Sequence, residues 1–289
     1  MNLVFDGRAE LGEGPVWDES SQSLYWLDLF LGHVHRYDTK TKKDSFIKMD
    51  EIIGCLTLRK RGGLLVATES GVYAIDFFKE TKLRISDIEA DKPEKHFNDG
   101  KIDPIGRFWF GSIAIDRTTT IMGNLYSLEK DLSVVCRLSD IDNTNGMDWS
   151  PDFRTFYHVD SLSKEVTAYN YQIDSGNISQ PRSAVRLPDD TGVPDGITVS
   201  KDGNLWVAHW GGGCVTRWDP KHGKLLETFK VPAKLTTSCT FGGPKMNELY
   251  ITTARYQQSI EDLEKHPLSG GIFKIKTDTE GFLPRAFEG

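Results

Sequence analysis

Glu13, Asp99, Asn145 and Asp195, four oxygen-bearing side chains spread along the chain, each stand directly before a glycine. Asn98 adds a fifth, one position ahead of Asp99. These are hard donors, carboxylates and carboxamides, with no clustered Cys or His among them. Such a set suits Ca²⁺, Mg²⁺ or Mn²⁺ and accepts Zn²⁺. Gathered at one point, the carboxylates would repel one another unless a cation offset their charge. A cation held there could polarise a carbonyl oxygen and lower the pKa of bound water, with a nearby carboxylate as general base. That chemistry hydrolyses an ester or lactone without a Ser or Cys nucleophile. The nucleophile route has no signature here. No GxSxG is present, and Ser112, in FGSIA, does not fit the strand-to-helix elbow. Asp-Gly and Asn-Gly are also ordinary turn dipeptides, so each pair alone carries little weight. Their place in a repeat gives them more.

Six units begin at Gly14, Gly54, Gly100, Gly146, Gly196 and Ser238, stepping by 40, 46, 46, 50 and 42 residues. Each opens on a short strand: PVWD, CLTL, KID, MDW, ITV or CTF. A second follows (LYW, LLV, FWF, FYH, LWV, LYI), then a third such as HVHRYD, GVYAID or CVTRWD. A more variable fourth strand is expected after most of these, as in SVVCRL and LLETFKV. Four short strands in 40 to 50 residues is the pattern of a propeller blade. The expected fold is all-β, a six-bladed β-propeller with four-stranded blades, in a single domain over residues 1–289. The strand Leu3–Asp6 precedes the first unit and should complete the last blade, closing the ring and removing two sheet edges. Only Ser259–Lys265 reads as a helix. In a propeller the first strands line a central channel. The residues before the unit starts (Glu13, Ile53, Asp99, Asn145, Asp195 and Thr237) then point at one axis. Trp17 and Trp149 share a register in first strands, and Trp26, Trp109 and Trp206 sit in second strands; all five should be packing residues. His33 and His35, two apart in a third strand, are expected on an exposed face, and His209 is a further candidate for the pocket border.

The formal net charge of −7 speaks against nucleic acid or an anionic membrane as the main partner. No run of 18 apolar residues and no N-terminal leader pattern occur, so no membrane association and a cytoplasmic location are expected. Cys55, Cys136, Cys214 and Cys239 show no metal or redox spacing and should be buried free thiols. A closed ring needs no partner to cover its edges, and a monomer is expected.

Seven stretches, LGEGPVWD (11–18), FNDGKIDPIGRFWFGS (97–112), NGMDWSPD (145–152), DSLSKEV (160–166), PDGITVSKDGNLWVAHWGGG (194–213), TTSCTFGG (236–243) and GGIFKI (270–275), resemble the gluconolactonase / regucalcin (senescence marker protein) / luciferin-regenerating enzyme family. The resemblance spans nearly the whole chain in motif order. It implies a six-bladed propeller with one divalent cation on its axis, Ca²⁺ foremost with Zn²⁺, Mg²⁺ or Mn²⁺ as alternatives. It also implies hydrolysis of a sugar lactone such as gluconolactone; some members act on other lactones or esters. Carried over by position, Glu13, Asn145 and Asp195 would hold the metal. Asp195 would also activate water, and Asn98 would face the substrate. Asp99, which the axial reading selects, moves to a supporting role. Two positions depart from the sugar-lactonase pattern. His96 stands where Arg is common and cannot copy its forked hydrogen bonds. Asp116 falls where some relatives have the longer Glu. Both are candidate substrate contacts. The alternatives are a hydrolase of aryl esters or organophosphates and a non-catalytic calcium-binding propeller. An apolar pocket would favour the first of these over a sugar.

Overall fold

The protein is described by a computed structural model that covers residues 1–116 and 118–289. Among the described residues, twenty-four strands form six four-stranded antiparallel sheets, and in five of them the four strands are consecutive in sequence. The innermost strands are Gly12–Asp18, Ile53–Leu58, Lys95–Ile102, Thr144–Trp149, Val193–Val199 and Leu235–Gly242. Each packs against the innermost strands on either side, so the six sheets form the blades of a closed propeller. Blade 6 takes its outermost strand from the N-terminus: Asn2–Phe5 pairs with Ile272–Lys276, Leu3 opposite Phe273. The fold and its closure are those expected from the repeat. The helix is also where it was expected, at Ile260–Lys265, with Ser259 Oγ accepting the Asp262 N–H at 3.1 Å. None of the described helices is long and apolar enough to cross a membrane.

Large aromatic side chains fill the spaces between blades. Trp17 of blade 1 stacks on Tyr250 of blade 6, with centroids 5.4 Å apart. Trp109 of blade 3 meets Trp149 of blade 4 edge-on at 5.6 Å, and Trp206 of blade 5 meets Phe241 of blade 6 the same way at 5.6 Å. Each such pair contributes about 1 kcal/mol beyond the area it buries. These contacts hold neighbouring sheets in place alongside hydrogen bonds that cross between blades, such as that of the Val199 N–H to Asp148 Oδ2 at 2.8 Å.

Two expectations need correction. Cys136 is exposed, on the outermost strand of blade 3, while the other three thiols are buried and free. Outermost strands have one face toward water, so a cysteine there need not be core. His35 is buried rather than on an open face. It stacks on Trp26 at 3.9 Å, and its Nδ1 lies 2.7 Å from Asp44 Oδ2.

The innermost strands also share a feature that the repeat did not reveal. All six carry a break in register near their start, at Glu13/Val16, Ile53/Cys55, Phe97/Asp99, Thr144/Met147, Pro194/Ile197 and Thr236/Ser238. A β-bulge re-aims the side chain it contains. Here it recurs six times around the axis, and Glu13, Asn98, Asn145 and Asp195 lie at four of the six. The adjoining glycines follow from crowding. A Cβ on Gly146 would lie 2.5 Å from Ile197 N and 2.6 Å from Asp195 O, both backbone atoms. One on Gly54 would meet Phe97 O at 2.0 Å. The far end of the channel is crossed by the C-terminal tail. Phe282–Arg285 line it, and Phe287 is buried with its N–H on Leu58 O at 2.8 Å.

The crowding predicts that Gly146→Ala loses about 3 kcal/mol of stability, read as a lower urea midpoint with an unchanged slope. A loss below about 0.5 kcal/mol would show that the inner ring can spread.

Candidate functional site

The bulges bring Glu13, Asp99, Asn145 and Asp195 to the channel axis. Glu13, Asn145 and Asp195 are buried. Three of the side chains are fixed by a shared device: the carboxylate accepts the N–H of the glycine that follows. Gly14 donates to Glu13 Oε2 at 2.8 Å and Gly100 to Asp99 Oδ1 at 2.6 Å, and the Gly196 N–H supports Asp195. Asn145 donates from Nδ2 to Ser161 Oγ at 3.1 Å and hydrogen-bonds Asp195. An amide nitrogen has two protons for these two tasks, which leaves Oδ1 as an acceptor. Asn98 donates from Nδ2 to Thr144 O at 2.9 Å, tying blade 3 to the residue before Asn145. Thr237 Oγ1 reaches Gly12 O at 2.5 Å, tying blade 6 to the residue before Glu13.

The electrostatics follow from this packing. Burial pushes the Glu13 carboxyl well above the usual carboxylate range, and the charges of Asp195 and Asp99 push it further. Asp195 is raised by burial and then by Asp99, with its hydrogen bonds opposing. Asp99 is pushed up to about 6 by burial, against the Gly100 N–H and the Lys101 ammonium. Burial, with Asp99 and Glu13 adding to it, also raises the nearby Cys55 thiol well above its ordinary value. Three carboxylates thus converge where their ionised forms are disfavoured. Among the described residues no three Asp, Glu, His or Cys side chains are gathered so as to hold a metal by themselves, so a divalent cation would need the Asn145 carboxamide beside Glu13 and Asp195.

Lys101 was not singled out from the sequence. It lies two residues beyond Asp99, so strand alternation turns it to the same side, and that spacing was the available signal. Its Nζ donates to Asp148 Oδ2 at 2.7 Å and Ile197 O at 3.1 Å. Ser161 and Thr144, which orient the two carboxamides, gave no signal at all.

The remaining candidates sit farther out. His96 is buried, with Nδ1 2.7 Å from Phe97 O and its ring 6.3 Å from Phe30, edge-on. Asp116 occupies an exposed loop after Phe108–Ala114, where Oδ1 accepts the Thr118 N–H at 2.9 Å and its hydroxyl at 2.7 Å. His209 is buried, with its ring nitrogens on Thr191 O at 2.9 Å and Thr216 Oγ1 at 2.6 Å.

Comparison with known proteins places the chain in a family. Residues 11–255 match the model of the SMP-30/Gluconolactonase/LRE-like region. The chain belongs to that family. It is 38% identical to regucalcin of Homo sapiens and 37% identical to regucalcin of Danio rerio, each over 100% of this chain and 98% of the relative. A solved luciferin-regenerating enzyme superposes with a TM-score of 0.92 at 31% identity, covering 98% of this chain and 97% of that one. The family match takes in every bulged axial position from Glu13 to Thr237.

The raised carboxyls have a consequence for stability. An acid whose pKa is higher in the folded state binds more protons folded than unfolded, so stability falls as pH rises through that interval. For Asp99 the interval runs from its ordinary 3.8 to about 6. In chelated protein, Asp99→Asn should match wild type near pH 4 and exceed it in Tm above pH 6. Equal melting temperatures above pH 6 would show that burial does not disfavour the Asp99 carboxylate.

Proposed function

We propose that the protein hydrolyses a lactone, with one divalent cation on the propeller axis held by Glu13, Asn145 and Asp195. The observation that carries this reading is the buried meeting of Glu13, Asn145 and Asp195, in which Asn145 hydrogen-bonds Asp195 and the Asp195 charge raises the Glu13 carboxyl. Membership of a family described by its gluconolactonase supports the reaction class. Ca²⁺ is the foremost candidate, and oxygen donors also accept Mg²⁺, Mn²⁺ and Zn²⁺. When bound, the cation would offset the carboxylate repulsion and polarise the carbonyl of the substrate.

The chain's own residues supply the rest. An Asp195 carboxylate oxygen takes the proton of a water that adds to the carbonyl carbon. The ring C–O bond then breaks, and the proton passes to the departing alkoxide, giving a hydroxy acid. Asn98, its Nδ2 held by Thr144, keeps Oδ1 to receive a substrate hydroxyl or water. His96 and Asp116 are the candidates for contacts farther along the substrate.

The test begins with metal-stripped protein and a pH-indicator assay on D-glucono-δ-lactone and unsubstituted δ-valerolactone. Adding back Ca²⁺, Mg²⁺, Mn²⁺ or Zn²⁺ should restore turnover. Asp195→Ala should lower kcat at least 100-fold, while its chelated form melts no lower than wild type because a repelled buried carboxyl is gone. Glu13→Gln should weaken cation binding at least tenfold by calorimetry. Turnover that survives both chelation and Asp195→Ala would refute the mechanism. Cation binding without turnover of any lactone would point to a calcium-binding propeller.

A further inference from the structure

A groove of about 670 Å³ lies between blades 1 and 2, on the face of the ring opposite the acidic site. In these blades the pairs Asp18–Ser23 and Leu58–Leu64 close the first hairpins at that face, while Glu13 and Ile53 stand at the other. The turns after Asp18 and Leu58 form two walls of the groove, and the turn after Asp76 forms a third. Ala286 of the C-terminal tail also lines it. Small-molecule sites have volumes of roughly 300 to 1,000 Å³.

Part of the lining is apolar. Tyr25, Leu64, Ile75 and Phe77 are buried in the cluster that joins blades 1 and 2, and Tyr25 meets Phe77 edge-on at 5.7 Å. Phe78 and Leu83 border the groove and are 76% and 67% exposed. An apolar ligand would cover both and gain from the area it removes from water.

The charged groups of the lining fall into two sets. The carboxylates are committed to the protein. Asp18 accepts the Ser20 N–H and the hydroxyls of Ser20 and Ser21. Asp76 accepts the N–H groups of Phe78 and Lys79 and pairs with the Lys79 ammonium at 3.0 Å. The cations are not. Among the described residues, the guanidinium groups of Arg59 and Arg61 have no hydrogen-bond or ion-pair partner. Lys82 Nζ reaches Met49 O at 3.4 Å and no carboxylate. Arg59 Nε is also buried, without an acceptor. Buried polar groups are nearly always hydrogen-bonded, so an orphaned guanidinium N–H at the wall of a groove points to an acceptor carried by a ligand. The planar fork of a guanidinium matches a carboxylate, with two parallel hydrogen bonds and opposite charge.

We propose that this groove binds a small apolar carboxylate. Its carboxylate oxygens would accept from Arg59, with the Arg61 charge beside them. Its hydrocarbon part would lie on Phe77, Phe78 and Leu83. The site is separate from the axial carboxylates, and it stands whatever reaction occurs there.

The test titrates isotope-labelled full-length protein with hydrocinnamate and follows the amide signals. Hydrocinnamamide and phenylpropylamine keep the apolar body and replace the carboxylate by a neutral group or a cation. Hydrocinnamate should move the signals of Gly62, Gly63, Phe78 and Leu83 saturably and leave those of Gly14 and Gly196 in place. The amide should bind at least fivefold more weakly and the amine at least tenfold. Arg59→Gln should weaken hydrocinnamate binding at least fivefold. Leu83→Ser, at an exposed position with little bearing on folding, should weaken it two- to threefold. Arg61→Gln, also exposed, carries the charge test if Arg59→Gln fails to fold. Equal affinity for the acid and the amide would mean that solvent satisfies Arg59, and the proposal would fall. It would fall equally if no saturable shift occurred at millimolar hydrocinnamate, if the shifts were confined to the acidic end, or if the folded variants bound as wild type does.

Discussion

Three carboxylates held against their mutual repulsion on the axis of a closed ring are the constraint around which the protein is arranged. Glu13, Asp99 and Asp195 come from blades 1, 3 and 5, so no blade alone creates the conflict. The ring does so by bringing alternate blades together at its centre. Each carboxylate is held to its strand by the next glycine's N–H. At Gly100 and Gly196 a side chain would also collide with Cys55 or Ser238 of the neighbouring blade, whereas Gly14 is required by its positive φ of 52°.

The stability that tolerates this strain is supplied at a distance. Aromatic contacts between blades, together with the N-terminal strand in blade 6, keep the sheets closed whether or not the axis carries a cation. A site that disfavours its own ionised form is a common arrangement where charge must be available for binding or catalysis. The surrounding packing lets it persist in a fold only marginally stable overall.

The two ends of the channel have different characters. At one, Lys101 bridges Asp148 and the Ile197 carbonyl, and the C-terminal tail lies across the opening. At the other, the carboxylates open onto an apolar mouth. Phe30, Ile52, Trp210 and Tyr256 are half-buried there, packed on Leu11, Leu29, Leu235 and Ala254.

The sequence by itself determined the six units, their strand order, the aromatic packing and four of the residues now seen at the axis, namely Glu13, Asp99, Asn145 and Asp195. Those features are local: alternating side chains, turn residues and a repeat step can be read within a few dozen residues. His35 and Cys136 were misjudged because strand pattern shows which face a residue takes, not what covers that face. The bulges, the partners of the carboxamides and the groove between blades 1 and 2 belonged to the tertiary structure alone. Thr237 meets Gly12 across 225 positions of chain. Asn98 meets Thr144 across 46, and the groove gathers residues from two blades and the C-terminal tail. Ring closure sets these meetings, and closure is decided by how the sheets pack, which no single segment encodes.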